Sequence, residues 1–190
     1  MSRENVEVVR QPITVADHPR RRAEQHLVRF PRALTLFARA TWRLYLWLPP
    51  RSWLRQAIAR RYLQHGVEAV NRRDLEAAFV LYHPDVESIF DQRVVALGFE
   101  PVYRGREARI EAQRRWIDEW GEERTEPEEL IDLGGGRLLL LVRNTGKGHS
   151  SGAVVDRNNA FLFTLSAGRV IHEQFFLDRA EALEAVGLSE

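Results

Sequence analysis

The 190-residue sequence contains no cysteine, one methionine and a single lysine, Lys147. Without cysteine, a disulfide framework, a thiolate nucleophile, an iron–sulfur cluster and a cysteine-ligated zinc site are all excluded. The sequence also lacks a run of about 18 uncharged apolar residues, so we predict no membrane-spanning helix. No short apolar segment is followed by a small-residue cleavage site, so we predict no secretory signal and a cytoplasmic protein.

Charge is divided unevenly along the chain. Residues 1–62 carry 13 arginines against 4 acidic residues, a balance of +9, whereas residues 63–190 carry 15 basic and 23 acidic residues, a balance of −8. Such asymmetry is typical of a basic arm that meets an acidic surface, whether lipid, nucleic acid or the other half of the protein. With 44% apolar residues the chain can bury one core, and we expect one domain with an appendage.

Residues 1–60 are predicted to form a basic, amphipathic N-terminal arm. The stretch from Met1 to Arg32 has three prolines and weak periodicity, which favour an irregular segment or a short helix. From Ala33 to Leu48, apolar side chains recur at helical spacing with arginines on another face, which predicts an amphipathic helix. Pro49 and Pro50 end that helix, and Ser52 is a suitable N-cap for a second one that reaches about Asn71.

Residues 61–190 are predicted to form an α+β domain. Helical spacing and caps indicate helices at Leu75–Tyr82, Arg106–Trp120 and Asp178–Val186. Alternation and turn clusters indicate strands at Val86–Phe90, Glu128–Asp132, Arg137–Gly146, Gly152–Leu165 and Arg169–Leu177. This order predicts a curved antiparallel sheet wrapped around helices, a cone-shaped α+β barrel with extra N-terminal helices.

Four segments resemble, in the same order, the SnoaL-like polyketide cyclase branch of the nuclear transport factor 2-like superfamily. They are VEAVNRRDL at 67–75, YHPDVE at 82–87, YRG at 103–105, and the stretch 168–183 that opens with GRV and ends with FFLDRAEAL. Over about residues 63–190 the resemblance implies a small-molecule pocket at the wide end of the cone and a homodimer formed through the sheet. NVEVVR at 5–10 resembles the start of the family's first helix, so residues 11 to about 60 are interpreted as an insertion.

Strand parity selects candidate pocket residues. On the last strand Ile171, Glu173, Phe175 and Leu177 share one face, which we predict to be the inner one. The same alternation on the neighbouring strands, with two helix tryptophans and the tyrosine of the YRG segment, gives the predicted ligand-binding set. Its members are Tyr103, Trp116, Trp120, Asn144, Arg157, Asn159, Phe161 and Phe175. Two tryptophans four apart on one helix are more often core residues than a ligand cage, which is the alternative interpretation of this pair.

Glu173 is the predicted catalytic residue. Burial in an apolar pocket disfavours the charged form of a carboxylate, which suits it for general acid or base work near neutral pH. Two alternatives remain: a buried ion pair with Arg157, which would reverse that effect, or a solvent-facing position if the strand register is shifted by one residue.

The resemblance implies catalytic sets that this sequence does not contain. The base, tyrosine and neutral acid of ketosteroid isomerases would match Phe90, Gly66 and Asn159 or Ala160. The two acids and the arginine of limonene epoxide hydrolases would match Phe175, Asn144 and Val142. We therefore carry two hypotheses: an isomerase, cyclase or hydrolase acting on a small apolar molecule through Glu173, or a non-catalytic binding or assembly module. The histidines show no metal-ligand spacing and no phosphate-binding motif is present, so we expect no metal and no cofactor.

The arm is rich in aromatic residues beside arginines, with Trp42, Tyr45, Trp47 and Trp53 in one stretch. Aromatic rings with basic groups suit the surface of an anionic membrane, to which the arm would bind peripherally. Packing of the rings on the protein's own acidic domain, or on a partner subunit, explains the same pattern. Nucleic-acid binding ranks last because no reader motif accompanies the arginines and the acidic domain would repel phosphate.

Overall fold

The computed structural model describes residues 8–13, 31–121, 123–147, 152 and 154–189. In this part of the chain the helices are α1 Pro31–Trp47, α2 Trp53–Asn71, α3 Leu75–Ala78, α4 Gln92–Val95, α5 Arg106–Trp120 and α6 Arg179–Ala185. The strands are β1 Val9–Pro12, β2 Tyr82–Ile89, β3 Val102–Arg104, β4 Arg124–Asp132, β5 Arg137–Lys147, β6 Val154–Ser166 and β7 Arg169–Phe176. None of the described helices has the length and apolar content needed to cross a bilayer.

The strands form one curved sheet in the order β1-β4-β5-β6-β7-β2-β3. The predicted α+β class, with helices against a curved sheet, is confirmed. The sheet is not wholly antiparallel, because β2 and β7 run parallel to each other. Strands β3 to β6 lie between β2 and β7 in the chain, so the two neighbours are not joined by a hairpin and can run parallel.

Both faces of the central strands are covered. On β5, Leu138, Leu140 and Val142 belong to the core formed with α2, α3 and α5, which defines the inner face. The alternate residues Leu139 and Leu141 pack on the outer face with α6. A strand covered on both sides reads as a continuous apolar run, which is the physical reason for the leucine-rich sequence of β5.

A β-bulge at Ile171 determines which side chains of β7 point inward. Val170 pairs with Leu165 and His172 pairs with Thr164, so Ile171 has no partner on β6. The extra residue shifts the alternation, and Val170 then shares the inner face with Glu173. The prediction that Ile171 lies inside is therefore wrong, and its side chain is 38% exposed.

The N-terminal segment differs from its prediction. Val9–Pro12 is an edge strand that pairs with β4, not an irregular or helical segment and not the start of the first helix. Its proline stands at the sheet edge, where a missing N–H is tolerated. The rest of the predicted irregular segment, residues 1–7 and 14–30, lies outside the described residues. The boundary predicted after residue 60 lies inside the continuous helix α2.

Helices α1 and α2 meet at a proline-containing elbow that is attached to the sheet. Tyr45 and Trp42 of α1 are buried and stacked on each other, with ring centroids 4.8 Å apart. Arg55 of α2 donates from Nε to Asp132 Oδ2 at 2.7 Å and from Nη1 to the Leu48 carbonyl at 3.0 Å. Gly136 allows the close approach, since a Cβ there would lie 3.0 Å from the Trp42 ring and 2.8 Å from a backbone oxygen.

Candidate functional site

A cavity of about 130 Å³ lies between the helices α2, α3 and α5 and the inner face of the sheet. Its walls are largely apolar and aromatic, from residues such as Trp116, Phe161, Phe163 and Phe175. A few polar side chains also reach it, which is typical of a small-molecule site. They include Tyr82, Arg109, Gln113, Glu123, Asn144 and Glu173.

Glu173 lies in this cavity and is only 1% exposed. Arg109 of α5 donates to both of its oxygens, from Nε to Oε2 at 2.5 Å and from Nη2 to Oε1 at 3.3 Å. The Tyr82 hydroxyl donates to Oε1 at 3.0 Å. These three side chains therefore form a buried cluster in which every oxygen of the carboxylate is hydrogen-bonded.

Charge compensation holds the cluster together. Burial by itself would lower the pKa of Arg109, but the adjacent Glu173 carboxylate raises it above its ordinary value, so the guanidinium stays charged. Burial, and then the charge of Glu173, raise the pKa of Tyr82 well above its ordinary value, so its hydroxyl stays protonated. The rings of Phe79 and Phe90 lie 4.7 and 5.3 Å from Arg109 Cζ and add cation–π contacts.

Arg157 is not the partner of Glu173. Glu173 stands opposite Phe163 on β6, six residues along that strand from Arg157. At about 3.3 Å per residue this separation is roughly 20 Å, too far for an ion pair. The Arg157 guanidinium instead lies over the ring of Trp120, with Cζ 5.0 Å from the centroid. Glu173 does form a buried ion pair, but its partner is Arg109 of α5 and not Arg157.

A second polar group lies near the start of β4. The Asn144 amide donates to Glu123 Oε1 at 2.5 Å and to Thr125 Oγ1 at 3.2 Å, and the Trp116 indole donates to Glu123 Oε2. Asn144 stands opposite Arg157 on β6, whereas Glu173 stands opposite Phe163, six residues further along the same strand. The two polar groups therefore lie at different positions along β6. No cation of the described chain forms an ion pair with Glu123 at up to 4.0 Å.

Three buried polar atoms near this second group have no hydrogen-bond partner among the described residues. They are Asn144 Oδ1, Asn159 Oδ1 and Trp120 Nε1. Of the three residues only Asn144 lines the cavity, so its oxygen is the acceptor that a hydroxylated molecule or ordered water could meet there. Asn159 and Arg157 do not line the cavity itself, and the predicted cluster of Asn144, Arg157, Asn159 and Glu173 is not one group.

The aromatic residues of the predicted set form a connected wall. Phe161 and Phe175 stack with centroids 4.8 Å apart, and Trp116 meets the Phe175 ring edge-on at 5.9 Å. Trp120 packs behind Trp116 at 5.7 Å and does not line the cavity. Tyr103 also lies outside the lining, where its ring contacts Phe90 and its hydroxyl accepts a hydrogen bond from the Glu100 backbone.

The predicted site residues do not include Arg109, Tyr82 and Glu123. A signal existed for Arg109, because it is four residues before Gln113 on the predicted buried face of α5, and an arginine there needs a carboxylate partner. Tyr82 opens the YHPDVE segment, but the predicted helix Leu75–Tyr82 ends at this residue, whereas the structure has it at the start of β2. Glu123 follows α5 in a stretch without periodicity, which gives no indication of its position.

Asp91 follows Phe90, the position that the resemblance matches to the base of ketosteroid isomerases, and it caps α4. It accepts hydrogen bonds from the Arg93 backbone at 2.8 Å and from the Leu177 backbone at 3.1 Å. The Arg93 guanidinium, with these backbone donors, lowers its pKa to about 2. A carboxylate held in this way is a poor proton acceptor and stabilises the joint between α4 and the end of β7.

No protein-family model and no curated protein matches the sequence. The fold, however, matches solved structures. An NTF2-like protein of unknown function from Burkholderia pseudomallei K96243 is 21% identical, with 67% of this chain and 95% of that chain covered and a TM-score of 0.57. TerC co-crystallised with polyporic acid is 18% identical, with 66% and 95% covered and a TM-score of 0.57.

A third structure, described as a SnoaL-like polyketide cyclase from Jannaschia sp. CCS1, is 19% identical, with 68% of this chain and 92% of that chain covered and a TM-score of 0.54. At these identities the likeness shows the fold. The chain therefore has the NTF2-like fold over about two thirds of its length. Individual residue roles must come from the site itself.

Proposed function

We propose that this protein binds a small, largely apolar molecule in the cavity and transfers a proton on it, in an isomerisation, cyclisation or hydrolysis. The observation that carries the proposal is the buried Glu173 carboxylate, which lines an aromatic cavity and is held by Arg109 and Tyr82. The carboxylate is fixed in place and can be reached from the cavity, so a ligand oxygen that shares the Arg109 guanidinium would leave Glu173 able to accept a proton.

Arg109 and Glu173 have complementary tasks in such a reaction. Of the five guanidinium N–H groups of Arg109, two remain after its hydrogen bonds to Glu173 and Gln113. These can stabilise negative charge on a ligand oxygen while Glu173 accepts the proton that the ligand loses. Tyr82, which keeps its own proton, orients the carboxylate.

The lining indicates the class of ligand. Stacked phenylalanines and the Trp116 ring favour a flat, unsaturated molecule. The buried oxygen of Asn144 accepts hydrogen bonds, so we propose that the ligand carries a hydroxyl group at that end. The likeness to a structure holding polyporic acid and to a SnoaL-like polyketide cyclase supports a small-molecule pocket.

The test begins with native mass spectrometry of the purified protein to identify co-purifying molecules. Hydroxylated aromatic ketones are then screened by quenching of tryptophan fluorescence, with turnover followed by chromatography. We expect Glu173→Gln to keep binding and to lose about 100-fold to 10,000-fold in turnover. The matched control is Glu87→Gln, which removes a carboxylate paired with Arg104 at the surface, 3.1 Å away. Normal turnover by Glu173→Gln would remove the catalytic role.

A second candidate function is ligand binding without catalysis. It is favoured by one observation: Arg109 already neutralises Glu173, as in a structural ion pair. Plugging of the cavity by α1 would also favour it, but none of the described α1 side chains lines the cavity. Tight binding of a co-purified molecule that neither wild type nor Glu173→Gln converts would support this candidate.

A further inference from the structure

The elbow between α1 and α2 exposes apolar side chains that the cavity does not explain. Trp47 is 81% exposed and Trp53 is 77% exposed, while Leu44 and Leu46 are 41% and 48% exposed. Single exposed apolar residues are ordinary, but four within ten positions, two of them tryptophans, form a patch. We name these four residues the elbow patch.

The elbow patch rests on a fixed base. On the opposite side of α1, Trp42 and Tyr45 are buried. Arg55 of α2 binds both Asp132 and the Leu48 carbonyl. The patch is therefore presented outward by an anchored hairpin. Its rings have no packing role in the described part of the domain.

The chain segment that carries the elbow patch has charged residues of one sign. Residues 25–67 contain eight arginines and no aspartate or glutamate. At 100° per residue, the exposed Arg39 and Arg43 fall within about 140° of helix circumference shared with Leu44 and Trp47. The exposed face of α1 thus combines aromatic and aliphatic side chains with guanidinium groups.

We propose that the elbow patch docks on the surface of an anionic lipid membrane. Tryptophan rings are at their most stable at the level of the lipid headgroups, and arginines beside them meet the anionic lipids. A second copy of the chain suits the patch less well, because a two-fold contact would place Arg43 of one copy near Arg43 of the other. This proposal does not depend on the catalytic role of Glu173.

The test uses the full chain and flotation with vesicles of phosphatidylcholine, with and without 30% phosphatidylserine. We expect binding to require the anionic lipid and to weaken between low and high salt, since screening shortens the range of the arginine charges. Trp47→Ser/Trp53→Ser should reduce vesicle binding at least tenfold. Arg39→Glu/Arg43→Glu should reduce it by a similar or larger factor, because each basic residue near such a surface contributes about fivefold.

The matched control is Val154→Ser, which changes an apolar side chain that is 82% exposed on β6, away from the elbow. Its vesicle binding should equal that of wild type. Circular dichroism of each variant checks that the fold is intact. No binding of the folded wild type to anionic vesicles overturns the proposal. So does a dimer, seen by sedimentation velocity, that Trp47→Ser/Trp53→Ser dissociates.

Discussion

Two buried arginine–carboxylate pairs hold this molecule together, and they differ in what surrounds them. Arg55 and Asp132 join α2 to the end of β4, beside Tyr45. Arg109 and Glu173 join α5 to β7, beside Tyr82. Each pair has an arginine, a carboxylate and a neighbouring tyrosine, and each is almost fully buried.

The difference is access to the cavity. The Arg109–Glu173 pair and Tyr82 line the cavity, whereas Arg55, Asp132 and Tyr45 do not. Asp132 also accepts a hydrogen bond from the Gly134 backbone at 2.9 Å, so its oxygens are used within the protein. The same arrangement is therefore a structural anchor where it is enclosed and a candidate reactive group where a ligand can reach it.

The largest expected effect comes from breaking the enclosed pair. Asp132→Asn leaves the Arg55 charge buried without compensation, and we expect a loss of about 3–5 kcal/mol in the free energy of unfolding. Urea denaturation followed by circular dichroism measures this loss. The control is Asp156→Asn, which breaks a surface pair with Arg143 and should leave the denaturation midpoint unchanged.

The double variant Arg55→Met/Asp132→Leu sharpens that result. Because no charge is then left unpaired, it should be more stable than Asp132→Asn despite losing both partners. A double variant less stable than the single would show that the pair itself, and not the unpaired charge, determines stability.

A smaller loss is expected at the cavity. Glu173→Gln should cost roughly 1–3 kcal/mol, because the amide still accepts hydrogen bonds and water in the cavity can hydrate Arg109. The same urea experiment measures it. Equal losses for Glu173→Gln and Asp132→Asn would contradict the distinction between an enclosed and an accessible pair.

The two tyrosines give the next comparison. Tyr82→Phe removes a 3.0 Å hydrogen bond to a charged carboxylate and should cost about 1.5–3 kcal/mol. The Tyr45 hydroxyl makes a longer contact, 3.5 Å from Arg55 Nη2, so Tyr45→Phe should cost less than about 1 kcal/mol. Thermal or urea denaturation of the pair of variants tests the order, and a reversed order would show that the Tyr45 hydroxyl is the more important one.

The smallest effect belongs to a third pair, Asp91 with the half-exposed Arg93. The pKa of Asp91 is lowered from 3.8 to about 2, so its contribution is complete above pH 4 and disappears as the pH falls towards 2. Its size should be about 1 kcal/mol or less because Arg93 is exposed to solvent. Asp91→Asn should therefore lose less stability than wild type between pH 4 and pH 2. An identical acid dependence would contradict this role.

Much of the fold could be predicted from the sequence. Regular spacing and caps identified α5 with both of its ends, and the end of α2 at Asn71. The alternation on β5 and β6 gave the inner side chains correctly, because those strands have no bulge. Short elements were missed, among them the edge strands β1 and β3, where three or four residues carry too little pattern.

The candidate site could be predicted only in part. Strand parity placed Glu173 on the inner face, since the count from Phe175 does not cross the bulge at Ile171. The partner of Glu173 could not be predicted, because sequence spacing does not say which helix residue lies above a given strand. Parity also puts Arg157 and Glu173 on the same face of the sheet, but it does not show that they are six residues apart along the strand direction.

The bulge on β7 also affects how relatives of this protein should be aligned. Every residue of β7 after Ile171 is displaced by one position relative to a regular strand. In a relative without the bulge, the residue equivalent in space to Glu173 will be found one place nearer to the preceding turn. A gap-free alignment would then match Glu173 to an outward-facing residue and report the acid as absent, so alignments of this strand need a one-residue gap at Ile171.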